Sequence, residues 1–280
     1  MSEHDDLAPQ ETPHFDPSPA DQLDRIDFAE DEAETPAQNV LDDWIVYPSM
    51  ALGIVITTFL PVMLGQQLCL PLLSAAVLIP MFLWALHQGR PGKAMALALF
   101  WAALQSLSMI LASLLFPDSA GQAVQSGLEY RSAWLQWIAD GSQTTLAPAL
   151  DYGRQLVDLV IYALAMAFSG GVAGLLLLTL ALNRFNFTVA SLLAAAQNPA
   201  LAALAAWPLW MIARLVGAMV IGAVLAEPVA SLDLRPAFLI DWLQRRWRLL
   251  LAGLGLILLG FILQMLLSPL YRAVLQRALE

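Results

Sequence analysis

The sequence predicts an all-α integral membrane protein, a polytopic helix bundle preceded by a disordered N-terminal tail. Hydrophobic residues make up 59% of the 280 residues and charged residues only 13%, whereas soluble proteins average about 25% charged residues. Several long segments carry no charge, and 14 of the 23 acidic residues lie in the first 43 positions. Lipid is therefore the expected solvent of most of the chain.

Residues 1–43 are expected to form an acidic, disordered, cytoplasmic tail. Their formal charge is −13 and that of the remainder is +3. Many carboxylates and prolines leave too little apolar surface to offset the entropy of ordering. Leu23, Ile26 and Phe28 could form a short motif that folds on a basic partner, although a solvated tail is the simpler interpretation. The acidic tail argues against a nucleic acid as a partner.

The first three spans are predicted from charge-free runs. No charged residue occurs between Trp44 and Leu86, and one helix of that length would measure about 65 Å, twice the hydrocarbon core. Gly65-Gln66-Gln67 is the natural break, which gives spans at about 45–64 and 68–86. A polar turn with Arg90 and Lys93 precedes the third span, at about 94–116.

Three further spans are predicted at about 156–182, 205–226 and 249–267, which makes six. An alternative places a seventh span between Phe187 and Trp207. Gln197-Asn198-Pro199 lies in the middle of that stretch and favours an interfacial or re-entrant segment instead.

Lysine and arginine in short loops predict the orientation. A cytoplasmic N-terminus places the Arg90/Lys93 turn, the Arg184 loop and the C-terminal segment in the cytoplasm of a multi-pass cell-membrane protein. With six spans, the cluster Arg245, Arg246 and Arg248 falls on the outer side, against the rule, and a seventh span would correct this. These three arginines are predicted to contact lipid headgroups.

Two amphipathic helices are predicted at the membrane surface. The first lies in the long loop from Pro117 to Gln155, where aromatic and aliphatic residues recur at helical spacing before Asp140-Gly141 ends the helix. The second begins after Arg235-Pro236, because proline is favoured in the first turn of a helix.

Arg214 and Asp158 are the candidate functional residues, because ionisable residues within a span are costly to insert and are often functional. Arg214 is a candidate for binding a carboxylate or another anion, and Asp158 for pairing with Arg214 or for a proton-linked role. Two simpler interpretations compete: Arg214 caps backbone carbonyls or reaches to the interface, and Asp158 is interfacial. Depth argues against a direct contact, since Arg214 is predicted at mid-membrane and Asp158 near the boundary.

Small residues at four-residue spacing predict close helix packing. In the fourth and fifth predicted spans these residues are Ala163, Ala167, Gly170, Gly171, Gly174, Ala218 and Gly222.

Catalytic and metal-binding motifs are missing from the sequence. Cys69 is the single cysteine and there are three histidines, so disulfide frameworks and the common zinc motifs are excluded within one chain. We therefore expect no cofactor, no metal and no enzymatic activity. The favoured hypothesis is an accessory or assembly component of a membrane complex, with the lipid bilayer and other membrane proteins as partners. The alternative is a small-solute transporter or permease subunit with Arg214 in the substrate path.

Overall fold

The computed structural model describes residues 36–141, 152–232 and 235–280, and every regular element in these ranges is a helix. The chain divides into two compact units, Met1–Ile45 and Val46–Glu280. In chain order the helices are α1 (Pro36–Met63), α2 (Cys69–His87), α3 (Pro91–Leu115), α4 (Pro117–Ala123), α5 (Gly127–Asp140), α6 (Tyr152–Ser169), α7 (Val172–Ala195), α8 (Pro199–Ala206), α9 (Leu209–Ala230) and α10 (Pro236–Leu279).

Six helical segments are long and apolar enough to cross a membrane, which confirms the predicted fold class. Their bounds are Trp44–Met63, Cys69–His87, Pro91–Leu115, Val172–Ala195, Pro199–Ala230 and Pro236–Leu279. Most of the tail prediction falls on residues 1–35, outside the described residues. Helix α1 begins at Pro36, within the predicted tail, and its apolar segment begins at Trp44. Proline is favoured in the first turn, where its missing N–H has no partner in any case.

The predicted fourth span, 156–182, is wrong, because the chain reverses within it. Gly170 and Gly171 form a turn with φ of 60° and 104°, a region that glycine enters without a steric penalty. Two helices therefore replace one: α6 before the turn and α7 after it. The alternative seventh span over 187–207 is also wrong, because α7 continues to Ala195 and the eight-residue α8 follows.

The long helices of the second unit alternate in direction through the bundle. α1, α3, α7 and α10 run one way, and α2, α6 and α9 run the other way. The contacts that define these directions pair Gly53 with Val77, Trp101 with Ser74, Gln105 with Asn183, Met166 with Gly174, Gln155 with Arg214, and Glu227 with Arg246. In its described part, the chain thus passes through the bundle seven times, with α6 as the additional passage, so Val46 and Leu279 lie at opposite ends.

Two predicted connections also differ from the structure. Arg184 was assigned to a loop on the same side as Arg90, but it lies inside α7 and donates to the carbonyl oxygen of Gln125 at the opposite end of the bundle. The helix predicted after Arg235-Pro236 and the sixth span are one helix, the 44-residue α10.

A buried polar cluster connects four helices near the centre of the bundle. Gln105 on α3 accepts a hydrogen bond from Thr58 at 2.9 Å and donates to Asn183 at 2.9 Å and to Ser74 at 3.2 Å. Buried amides and hydroxyls need such partners because water cannot reach them. The cluster fixes the mutual rotation of α1, α2, α3 and α7, with α7 packed at the centre and α6 on the outside.

Candidate functional site

The hairpin of α6 and α7 is closed at its glycine turn and open at its other end. Gly174 on α7 packs directly on Met166 of α6, so that any Cβ at residue 174 would collide with the Met166 side chain. Gly171 packs on Phe82, and Gly170 on Val229 and Ala230. Toward Gln155 and Arg184 the two helices diverge, and α9 covers the gap between them.

A cavity of about 670 Å³ fills this gap; we call it the wedge cavity. Its walls come from the N-terminal half of α6, the middle of α7 and the first half of α9, with α5 at its mouth. The lining residues are Gln125, Ser126, Tyr130, Trp134, Arg154, Gln155, Asp158, Leu159, Ile161, Tyr162, Leu177, Leu178, Leu180, Ala181, Arg184, Trp210, Met211, Arg214, Leu215 and Ala218.

Both candidate residues from the sequence, Arg214 and Asp158, line the wedge cavity. Arg214 is the sixth residue of α9 and Asp158 is the seventh residue of α6. Because α6 and α9 run in the same direction, the two residues lie at a similar height. No ion pair joins them among the described residues, in line with the prediction of no direct contact, although the difference in depth is smaller than expected because α9 begins at Leu209.

The guanidinium of Arg214 is held by neutral groups. Its Nη1 donates to Oε1 of Gln155, and its Nε donates to the carbonyl oxygen of Trp210 at 3.3 Å. Its Cζ lies 5.1 Å from the ring centre of Phe261 on α10, which adds a cation–π contact. The bond to Trp210 agrees with part of the simpler interpretation, in which Arg214 caps backbone carbonyls.

Positive charge predominates in the wedge cavity. Arg154, Arg184 and Arg214 line it together with a single carboxylate, Asp158. Arg184 donates to the carbonyl oxygen of Gln125 at 2.9 Å. Among the residues that the structure describes, neither Arg184 nor Arg214 forms an ion pair, and Asp158 has no basic partner. An anion in the cavity would therefore meet the guanidinium groups of Arg184 and Arg214, which no carboxylate of the described residues neutralises.

Aromatic residues complete the polar part of the wedge cavity. Burial raises the pKa of Tyr130 to about 12, so its hydroxyl stays protonated and available as a donor. The indole N–H of Trp210 and the hydroxyl of Tyr162 are buried and have no partner among the described residues. Unpartnered buried donors are rare, because each forfeits its hydration without a replacement bond.

A second, apolar space adjoins the wedge cavity between α7 and α9; we call it the annex. Its volume is about 80 Å³, and its walls are Leu178, Ala181, Leu182, Phe185, Trp207, Met211 and Leu215. Four of these residues, Leu178, Ala181, Met211 and Leu215, also line the wedge cavity. The two spaces therefore share part of their walls and differ in polarity.

The opposite end of the bundle is joined by an ion pair. Arg246 on α10 donates through Nη2 to Oε1 of Glu227 at 2.8 Å and through Nε to Oε2 at 3.0 Å. The same guanidinium lies 3.5 Å from the carbonyl oxygen of Gly89 in the turn between α2 and α3. Arg246, predicted to contact headgroups, is thus engaged by the protein.

Arg245 and Arg248, the other predicted headgroup contacts, have different surroundings. Arg245 pairs with Asp241 at 3.4 Å, and both side chains are well exposed. Arg248 lies 5.7 Å from the ring centre of Trp247. Headgroup contact stays a prediction for these two residues.

Of the small residues predicted at close helix contacts, Gly174 and Gly222 do meet α6 closely, and several others occupy different positions. Gly170 and Gly171 form the hairpin turn and belong to no helix face. Ala163 and Ala167 are half-buried, and the buried residues of α6 are Tyr162 and Met166. Gly222 faces these two side chains, and Ala218 is buried beside the wedge cavity.

Sequence reasoning missed Gln155, Arg184, Tyr130 and Tyr162 as cavity residues. Gln155 and Arg184 stand at the edges of apolar runs, where polar residues are ordinary. The one usable signal was the Gly170-Gly171 pair, because a turn there brings residues 155–162 alongside residues 177–184.

Comparisons with known proteins found no similar sequence or structure. No family model matches the chain, and no match was found among the curated proteins or the solved structures.

Proposed function

We propose that this membrane protein is a non-enzymatic carrier that binds a small organic anion in the wedge cavity, with Arg214 in the substrate path. The observation that carries the proposal is that Arg214 and Arg184 line a cavity of about 670 Å³ and bond only neutral acceptors of the described residues. A carboxylate, sulfonate or phosphate on the ligand would balance this charge.

The energetics favour an anion over a neutral solute. A guanidinium removed from water is stabilised best by a counter-charge with which it forms two parallel hydrogen bonds. Gln155 supplies one neutral acceptor to Arg214, which orients the group without neutralising it. The cavity volume also falls within the range of about 300–1,000 Å³ that is typical of small-molecule sites.

The α6–α7 hairpin supports movement of the ligand and not binding alone. α6 buries only Tyr162 and Met166 and lies at the outside of the bundle. Its connection to α7 is the Gly170-Gly171 turn, and hinge motions are absorbed by a few residues at the ends of such elements. Displacement of α6 from α9 would open the wedge cavity while the Arg246–Glu227 end stays closed.

The accessory or assembly role predicted from the sequence gains no specific support. The exposed apolar side chains of α1 and α10 would serve a partner helix, but they suit lipid equally well. Of the two hypotheses, the carrier is the one that accounts for the charged cavity.

The test is flux of butanesulfonate into proteoliposomes that contain the full-length protein. A sulfonate stays ionised at neutral pH, so it does not cross the bare bilayer as a neutral acid. We expect uptake above that of empty liposomes, and a loss of about tenfold or more in Arg214→Gln, because a hydrogen bond to a charged group contributes about 1.5–3 kcal/mol. Arg214→Lys should retain part of the flux.

Arg277→Gln is the matched control, since Arg277 is exposed on α10 and does not line the cavity. It should transport like the unaltered protein. Uptake no faster than in empty liposomes, or equal uptake by the Arg214→Gln and Arg277→Gln variants, would contradict the carrier.

A further inference from the structure

The wedge cavity separates charged from apolar surface along its length. Its charged side chains, on Arg154, Asp158, Arg184 and Arg214, lie toward the open end of the hairpin. From Leu159 inward, the walls of α6, α7 and α9 are mainly aliphatic. The annex lies beside the wedge cavity between α7 and α9 and extends to Phe185 and Trp207, at about the height of Arg184 and Arg214. A small hydrophilic anion would make favourable contacts only with the charged side chains at the open end.

The annex favours an apolar group over water. Its described lining contains no charged side chain, and apolar surface is more stable against an apolar group than against water. Ala181 stands at the junction, where it lines both spaces. An alkyl or aryl group that passes Ala181 would fill the annex while its acidic group stays beside Arg214.

We propose that the ligand of this site is an amphipathic organic anion, whose acidic group binds at Arg214 and whose apolar portion occupies the annex. This inference rests on the proposed function, because it assumes that the wedge cavity binds an anion. It adds the apolar half of the ligand and assigns Ala181 as the residue that limits its size. The same chemistry is found in soluble alkyl or aryl acids and in anionic single-chain lipids.

Equilibrium binding of methanesulfonate, butanesulfonate and octanesulfonate to the full-length protein in phosphatidylcholine nanodiscs tests the proposal, with empty nanodiscs as the blank. We expect affinity to rise about fourfold for each methylene group that enters the annex. Butyltrimethylammonium, which has the same chain and the opposite charge, should bind at least about tenfold more weakly than butanesulfonate.

Substitution at the junction separates the apolar half from the charged half. Ala181→Leu should weaken butanesulfonate binding about tenfold and change methanesulfonate binding less than about twofold, because only the longer chain needs the annex. Ala194→Leu is the matched control, since Ala194 is an exposed residue of the same helix and lines neither space. It should bind every sulfonate like the unaltered protein.

The two proposals fail in different ways. Equal affinity for all three sulfonates, with no effect of Ala181→Leu but a loss in Arg214→Gln, would overturn the amphipathic ligand and leave the anion carrier standing. Sulfonate affinity that is unchanged in the Arg214→Gln variant would overturn the proposed carrier function itself. Addition of phosphatidylglycerol to the nanodiscs distinguishes the sources: displacement of butanesulfonate supports a lipid, and no displacement supports a soluble amphiphile.

Discussion

Gly217 of α9 and Gly253 of α10 face each other with the backbone oxygen of each beside the Cα of the other. A Cβ on Gly217 would stand 2.7 Å from the carbonyl oxygen of Gly253, and a Cβ on Gly253 would stand 3.0 Å from the carbonyl oxygen of Gly217. Such approach of two helix backbones is how membrane helices gain packing energy without a hydrophobic driving force.

Replacement of Gly217 by alanine should therefore destabilise the bundle. The added methyl group meets backbone, which cannot move aside as a side chain can, and overpacking of this kind costs about 1–3 kcal/mol. Gly255→Ala is the control, because a Cβ there has no neighbour within 4 Å, and alanine is the better helix former by about 0.5–1 kcal/mol. Thermal unfolding in detergent, followed by circular dichroism, measures both. Similar melting temperatures for the two variants would contradict the close contact.

Removal of Arg246 should destabilise the protein far more than removal of its neighbour Arg245. Arg246→Gln leaves the carboxylate of Glu227, which is only 10% exposed, without its cation, and breaking a buried pair typically costs about 3–5 kcal/mol. The Arg245–Asp241 pair has side chains exposed to 62% and 66%, and exposed pairs contribute about 1 kcal/mol at most. Unfolding titrations in mixed detergent compare the two variants. An equal loss of unfolding free energy in the two variants would show that the buried pair does not specifically stabilise the packing of α9 against α10.

Gln105→Leu should destabilise the bundle by about 2 kcal/mol, because it leaves the buried groups of Thr58, Ser74 and Asn183 without their shared partner. Ser113→Ala is the comparison. Its hydroxyl is buried on the same helix and has no partner among the described residues, so its loss should be neutral or slightly stabilising. Unfolding free energies in detergent decide the matter, and a neutral Gln105→Leu would mean that the polar cluster does not hold the four helices together.

Asp158→Asn should strengthen butanesulfonate binding severalfold at low ionic strength. Asp158 is the single carboxylate among the described lining residues of the wedge cavity, and its removal ends its repulsion of the ligand. Because Asp158 is exposed, salt should screen the effect, which is expected to fade above about 0.15 M ionic strength. Asp241→Asn, remote from the cavity, should leave affinity unchanged at every salt concentration. Weaker binding by the Asp158→Asn variant would show that the carboxylate assists the ligand and does not repel it.

The helical class and five of the six apolar segments were predictable because charge-free runs longer than about 20 residues have few alternatives to crossing a bilayer. The reversal at Gly170-Gly171 was not predictable in the same way. No charged residue interrupts the sequence between Asp158 and Arg184, so hydropathy alone continues straight through the turn. A glycine pair also fits a helix-packing motif, and only the tertiary contacts with Phe82 and Val229 decide between the two interpretations.

Arg214 and Asp158 were identifiable as candidates because ionisable residues stand out in apolar surroundings. Their meeting in one cavity was not, because it depends on the start of α9 at Leu209 and on the parallel course of α6 and α9. The predicted start of that helix was four residues too early, which shifted the predicted depth of Arg214 by about one helical turn. Gln155, which orients Arg214, has no signature at all, since a neutral amide at the edge of a span is ordinary.

The 44 residues of α10 make a helix of about 66 Å, roughly twice the thickness of the hydrocarbon core. Arg246 near its start holds Glu227, and Arg272 near its end donates to the carbonyl oxygen of Ile138 on α5 at 3.1 Å. About 39 Å of helix separates these two arginines. A tilt of α10 that releases Glu227 would therefore also shift α5, whose Tyr130 and Trp134 line the wedge cavity, so one helix connects the two ends of the bundle.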